Sequence, residues 1–223
     1  MLFVHDVHAV MGERELEFED ALRSEYAARV ADDDTRLLWY LNSTHGAGEA
    51  YKVVTITAVR DGAAWERLAD RLRRGDLSAW ASRAESMRYG CTSTLMAATS
   101  WSPLVLDLSQ VPTDPLTHDV AVYREDTLEG SGVPTLVGTA LGAVSGSAAG
   151  DAVLTCVAAF EPALTPGTTV QLLYRVTDQA HWAPAFGLDA NWDDWPGSLT
   201  PTLPDRVRGS SRILRTTSWS PLP

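Results

Sequence analysis

Thr99-Ser100-Trp101-Ser102-Pro103-Leu104 recurs as Thr217-Ser218-Trp219-Ser220-Pro221-Leu222. Six consecutive identities that include a tryptophan mark a duplication, and a repeat is read before anything else in a chain. The copies lie 118 residues apart (217 less 99). Other matches hold nearly the same spacing. Asp34 pairs with Asp151, Leu37 with Leu154, Val59 with Val176, Asp61 with Asp178 and Trp65 with Trp182, each 117 apart. Near the start, His5-Asp6-Val7 recurs as His118-Asp119-Val120 at 113, which implies a short indel between them. The reading is two homologous halves, a first repeat over 1–104 and a second, degraded repeat over 105–223.

In the first half, residues 2–10 are rich in β-formers and predict a strand. Phe18, Leu22, Tyr26 and Val30 recur every four residues and predict a helix over 13–30. Residues 36–42 and 51–59 read as a strand pair joined by the Gly46–Gly48 loop. Asp61 is placed to cap a helix carrying Trp65, Leu68, Ala69 and Leu72 on one face. A shorter helix with Leu77, Trp80, Ala81 and Ala84 follows, stopped near Gly90, and residues 91–98 form the last strand. The order is βαββαβ, the ferredoxin-like arrangement. The second half keeps the strand pair at 153–160 and 169–176. Its first helix is reduced to a Gly-rich stretch over 136–144, Pro184 should shorten the next, and residues 191–204 read as irregular chain.

A βαββαβ unit of about 100 residues with an aromatic-Ser-Pro-Leu tail, here Trp101-Ser102-Pro103-Leu104 and Trp219-Ser220-Pro221-Leu222, resembles the NIPSNAP-like branch of the dimeric α/β-barrel proteins. The resemblance implies an α+β fold in which two ferredoxin-like repeats form a pseudo-dimeric α/β barrel within one chain. The family includes cofactor-free monooxygenases, isomerases and cyclases as well as haem enzymes, so the fold does not select an activity.

Composition sets outer limits. The 223 residues are 45% hydrophobic and 21% charged, an ordinary globular mix, and eight Trp help to fill a core. The net charge of −11 repels phosphate backbones, and Arg71, Arg73 and Arg74 read as a solvated helix face, so no nucleic-acid partner is expected. No apolar run approaches the roughly 20 residues a bilayer span needs, and Met1-Leu2-Phe3-Val4-His5-Asp6, without a basic flank or a long apolar stretch, is not expected to act as a secretion signal. Two cysteines, Cys91 and Cys156, make no disulfide framework. The expectation is a cytoplasmic protein without a membrane partner, either a monomer or a dimer through an outer surface.

The P-loop, GxGxxG, GxSxG and HExxH motifs are absent from the sequence. His5 and His8, three apart on a strand, point to opposite faces, so a metal site built on that pair is not expected. Adjacent His5 and Asp6 are likewise no ready-made dyad. His5 could instead meet Trp39, Tyr40 or Asn42 from a neighbouring strand. Tyr40 and Asn42 share one strand face, while the residues 117 further on, Val157 and Ala159, are apolar. Tyr174, Arg175 and His181 stand where the first half has Thr57, Ala58 and Ala64. Trp65 and Trp182 read as core. Trp80, Trp192 and Trp195 could line a pocket for a flat ligand.

The resemblance, taken with the polar cluster in the first half, implies an enzyme that uses no cofactor and moves a proton on a hydrophobic, aromatic or polyketide-like small molecule. The reaction would be an isomerisation, cyclisation, elimination or oxygenation in a biosynthetic pathway. His5 or His45 is the expected base, with Tyr40 and Asn42 stabilising an oxyanion. His8, Trp39, Trp80, Tyr174 and His181 are the expected substrate-binding residues. The alternative is a non-catalytic small-molecule-binding or interaction protein, favoured by the degraded half and the absence of a strong motif.

Overall fold

The computed structural model describes residues 1–44, 49–113, 117–145, 154–177 and 207–223. The first half contains β1 (Leu2–Val10), α1 (Glu15–Ala21), α2 (Ala28–Val30), β2 (Thr35–Ser43), β3 (Lys52–Val59), α3 (Gly62–Arg74), α4 (Ser78–Glu85) and β4 (Arg88–Ala98). A π-helical segment, Leu22–Ala27, joins α1 to α2 without a break, so the expected long helix is present with one irregular turn. The second half contributes β5 (Val122–Glu129), α5 (Val133–Ser145), β6 (Leu154–Pro162), β7 (Thr169–Val176) and β8 (Arg208–Thr216). The fold class is α+β, as the repeat order implied, and the strand pairs are antiparallel. The Gly-rich stretch still forms a 13-residue helix, α5. Asp61 does cap α3, its carboxylate accepting from the Ala64 amide at 2.9 Å. No helix among the described residues is long and apolar enough to cross a membrane.

Two compact units result, and they differ from the sequence halves at the tails. One comprises Met1–Ala97, Val105–Ala121 and Leu214–Pro223; the other comprises Ala98–Leu104 and Val122–Ile213. In the first unit β4, β1, β3 and β2 pair in that order. One sheet face packs under the helices, with Phe18, Leu22, Tyr26, Leu68, Trp80 and Met87 in its core. Trp65, expected in this core, is 38% exposed and lies at its margin. In the second unit β5, β7 and β6 pair in order, and Val133 and Val137 of α5 pack on Leu128, Ala159, Leu172 and Tyr174.

The repeated tail motif completes each unit with chain from the other half. Ser220 Oγ accepts the Tyr40 amide at 3.1 Å, and the Leu222 amide donates to the Leu38 carbonyl at 2.9 Å. Trp219 stacks on Tyr40 with ring centroids 4.8 Å apart and donates through Nε1 to Glu19. In the second unit Ser102 Oγ accepts the Ala159 amide at 3.0 Å. Trp101 lies so close to α5 that a Cβ on Gly138 would sit 2.6 Å from its Nε1, which is why a glycine stands there.

An unpaired buried amide costs about 1–3 kcal/mol. Ser220→Ala should therefore destabilise the protein by about 1–3 kcal/mol in urea unfolding. Ser218→Ala, on the exposed side of the same tail, should leave the midpoint nearly unchanged.

Candidate active site

Strand alternation divides the first unit's polar residues between two faces. His5 pairs with Ile56, which pairs with Trp39, so these share the face away from the helices. Asp6 pairs with Thr55, which pairs with Tyr40; His8 pairs with Val53, which pairs with Asn42. On the other side of β1, Asp6 faces Ser93 and His8 faces Cys91. The helix-covered face therefore carries two polar rows, Tyr40–Thr55–Asp6–Ser93 and Asn42–Val53–His8–Cys91.

A cavity of about 430 Å³ opens over the β1–β4 side of these rows. Asp6, His8, Thr55, Cys91 and Ser93 form its floor, and Leu22, Tyr26, Trp80 and Ala84 form its helical wall. Both the volume and the mixed lining suit a small organic ligand. Arg88 reaches the cavity through a β-bulge. The register of β1 against β4 slips so that Ala9 faces Gly90 but Val10 faces Arg88. Simple alternation from Cys91 would turn Tyr89 inward. The bulge turns Arg88 inward instead and leaves Tyr89 81% exposed.

Electrostatics fix the roles of these groups. Burial raises the pKa of Asp6, opposed by a hydrogen bond from Ser93 and the electrostatic influence of His5 and Arg88. Burial and the Arg88 charge push His8 down to about 3, so its imidazole is neutral near pH 7. An Arg guanidinium only donates, so its bond to His8 Nδ1 makes that nitrogen the acceptor. Nε2 then carries the proton and donates to Thr55 Oγ1 at 3.2 Å. Arg88 also pairs with Glu85, while its Nε is buried with no hydrogen-bond partner among the described residues. Desolvation and the Asp6 carboxylate push the Cys91 thiol up to about 11. Tyr26 bonds Thr57 at 3.0 Å between oxygens, and burial raises its phenol pKa.

Of the expected site residues, the structure brings His8 and Trp80 to the cavity. His5 and Trp39 are buried on the opposite face. Tyr40 shares the cavity's face but sits two strands from β1, packed against Trp219, with its hydroxyl unpartnered among the described residues. Asn42 is two strands from His8, about 10 Å at ordinary strand spacing. Tyr174 is buried in the other unit's core. His45, Asp178, His181, Trp182, Pro184, Trp192 and Trp195 lie outside the described residues. Asp6, Cys91, Ser93, Tyr26 and Arg88 were missed as site residues. Period-two alternation from His8 could have found Asp6, but nothing in the sequence announces the bulge that turns Arg88 inward.

Register also corrects the alignment of the halves. Thr55 and Leu172 are 117 apart; Thr55 faces Asp6 and Leu172 faces Asp126. Asp126 is therefore the counterpart of Asp6, and Arg124 that of Val4. His118-Asp119 precedes β5 in an irregular segment, so its match to His5-Asp6 is not a structural one. On β2 and β6 a residue bulges at Leu38 and at Val157, and Tyr40 corresponds to Ala159. The comparison of Tyr40 with Val157 was thus out of step by two residues. In the second unit Arg124 Nε donates to Asp126 at 2.7 Å, both side chains almost fully buried, and Arg124 Nη2 donates to Ser211. That half neutralises its own carboxylate, whereas the first half leaves Asp6 facing a cavity.

No protein-family profile and no curated protein matches the chain. Solved structures do. A candidate monooxygenase from Lactobacillus acidophilus aligns over 99% of this chain and 96% of its own, with a TM-score of 0.61 at 10% identity. An anthrone oxidase-like protein aligns over 97% and 91%, with a TM-score of 0.54 at 10% identity. A NIPSNAP domain protein from Burkholderia xenovorans covers 47% of this chain and 100% of its own, at 18% identity and a TM-score of 0.40. The fold is that of the dimeric α/β-barrel proteins.

His8 generates a pH prediction. Its folded pKa of about 3 lies below the unfolded value of 6.5. Between the two, the unfolded chain binds the extra proton, so stability is full above 6.5 and is lost as pH falls through this window. The slope approaches about 1.4 kcal/mol per pH unit. His8→Gln, which cannot titrate, should remove that component when urea unfolding is followed from pH 7 to 4.

Proposed function

We propose that the chain is a cofactor-independent enzyme that moves a proton on a hydrophobic, aromatic or polyketide-like small molecule. The observation that carries this reading is the cavity itself. A carboxylate with a raised pKa, Asp6, and a half-buried guanidinium, Arg88, whose Nε is buried without a partner among the described residues, face the same space under Trp80 and Tyr26. The base in this reading is Asp6 rather than His8, whose two ring nitrogens are already engaged by Thr55 and Arg88.

A flat ring lies against Trp80 and Tyr26, with a carbonyl oxygen towards Arg88. An acidic C–H or O–H bond breaks, its proton passes to the Asp6 carboxylate, and the electron pair moves onto the carbonyl oxygen. Arg88 donates to that developing oxyanion and stabilises its charge. A raised pKa makes Asp6 a stronger base than a solvated carboxylate. Return of the proton to another carbon gives isomerisation, intramolecular attack gives cyclisation, and reaction of the enolate with dioxygen gives oxygenation. The names of the two full-length structural neighbours, a candidate monooxygenase and an anthrone oxidase-like protein, favour the last. Two free cysteines suit a reducing compartment, and we place the activity in the cytoplasm, in a monomer or a dimer that uses an outer surface.

A panel of aromatic and polyketide-like compounds screened by native mass spectrometry and then for turnover tests this reading. On a substrate so found, Asp6→Asn should lower kcat by about 10²-fold or more, and His5→Gln should leave it nearly unchanged. Ligands that bind without turnover would identify a binding protein instead. Full activity in Asp6→Asn with loss in His5→Gln would move the site to the other sheet face.

The second unit supplies a further variant. Val4→Arg should place a guanidinium on Asp6 as Arg124 lies on Asp126. It should lower the Asp6 pKa, read by NMR titration, and suppress turnover.

A further inference from the structure

We propose that Asp6, His8 and Cys91 form a binding site for a divalent transition-metal ion of the zinc type. The site shares the cavity described above, and an ion bound there would occupy the Asp6 carboxylate; metal binding and the proposed proton transfer are therefore alternative uses of one cavity, and the test below involves no substrate, so each can fail without the other.

The three side chains offer a carboxylate oxygen, an imidazole nitrogen and a sulfur, with one ligand atom of each lying within 4.8 Å of the others. Zinc takes this mixed donor set at about 2.0–2.3 Å per bond, which sets tetrahedral ligand separations near 3.5 Å. Closing the set takes side-chain rotations together with release of His8 by Arg88. The backbone needs no movement, because Asp6 and His8 are two apart on β1 and Cys91 is the direct cross-strand partner of His8. Three protein ligands facing a cavity leave the fourth position open to water. On binding, the Cys91 thiol gives its proton to solvent and the sulfur binds as thiolate; no electron is transferred.

The duplication gives an independent observation. Asp6 and Ser93 correspond to Asp126 and Ser211, so that pair of residue types is kept. His8 and Cys91 correspond to Leu128 and Gly209, which also lie against each other: a Cβ on Gly209 would sit 2.9 Å from the Leu128 side chain. The imidazole and the thiol therefore occur together in one half and are both missing from the other. Arg88 opposes the metal, since its guanidinium holds His8 Nδ1 and adds positive charge. It must release His8 when the metal enters, keeping its pair with Glu85.

Cobalt(II) is the probe, titrated into the purified full-length protein under reducing conditions. The expected result is one cobalt per chain with a thiolate-to-cobalt charge-transfer band that zinc abolishes. Cys91→Ala should lose the band, whereas Cys156→Ala should keep it. His8→Leu, which installs the second half's residue, should weaken binding by at least about tenfold, and Arg88→Met should tighten it. Absence of stoichiometric binding would overturn the proposal. So would a band that survives Cys91→Ala, or weaker binding in Arg88→Met. Circular dichroism on each variant separates loss of binding from loss of fold.

Discussion

The amide of Tyr40 finds its acceptor 180 residues along the chain, on the buried hydroxyl of Ser220. The Ala159 amide does the same with Ser102. A buried amide left without a partner is costly, and these two serines meet that requirement from tails belonging to the opposite halves. Trp219 then stacks on Tyr40 and closes the core that α1, α2 and β2 begin. The repeated hexapeptide is thus a structural device before it is anything else. Its conservation between two otherwise divergent halves reflects one hydrogen bond and one indole made twice.

Duplication left two sheets with the same register and different chemistry. In the second unit the carboxylate of Asp126 is met by Arg124 from the same strand, with both side chains almost fully buried. A buried ion pair of this kind adds little stability beyond what an apolar pair would give, but breaking it is costly. In the first unit Val4 replaces the arginine, and the carboxylate of Asp6 faces open space beside Ser93. The cation comes instead from Arg88, on a different strand and turned inward by a bulge. That rearrangement leaves a carboxylate and a guanidinium facing one cavity, where the second unit has them paired directly.

How much of this was legible varies with the range of the interaction. The strands at 2–10 and 169–176 and the cap at Asp61 follow from local pattern and local hydrogen bonding, and they were read correctly. The split of His5 and His8 onto opposite faces follows from the period of two. Correspondence between the halves was harder. Matching His5-Asp6-Val7 to His118-Asp119-Val120 rewards letter identity, whereas register rewards the cross-strand partner, and the two disagree by seven residues (113 against 120).

The sequence by itself determined that the chain is a duplicated α+β protein, because the tail motif and the hydrophobic periods are properties of neighbouring residues. It also determined that Asp6 and His8 share one face of β1, opposite His5. Only the tertiary structure decided which partners those residues meet. Asp6 needed β4 beside it to find Ser93 and Cys91, and Arg88 needed a one-residue slip between β1 and β4 to point inward. A bulge is fixed by the fit of two strands distant in sequence, so neither strand alone encodes it.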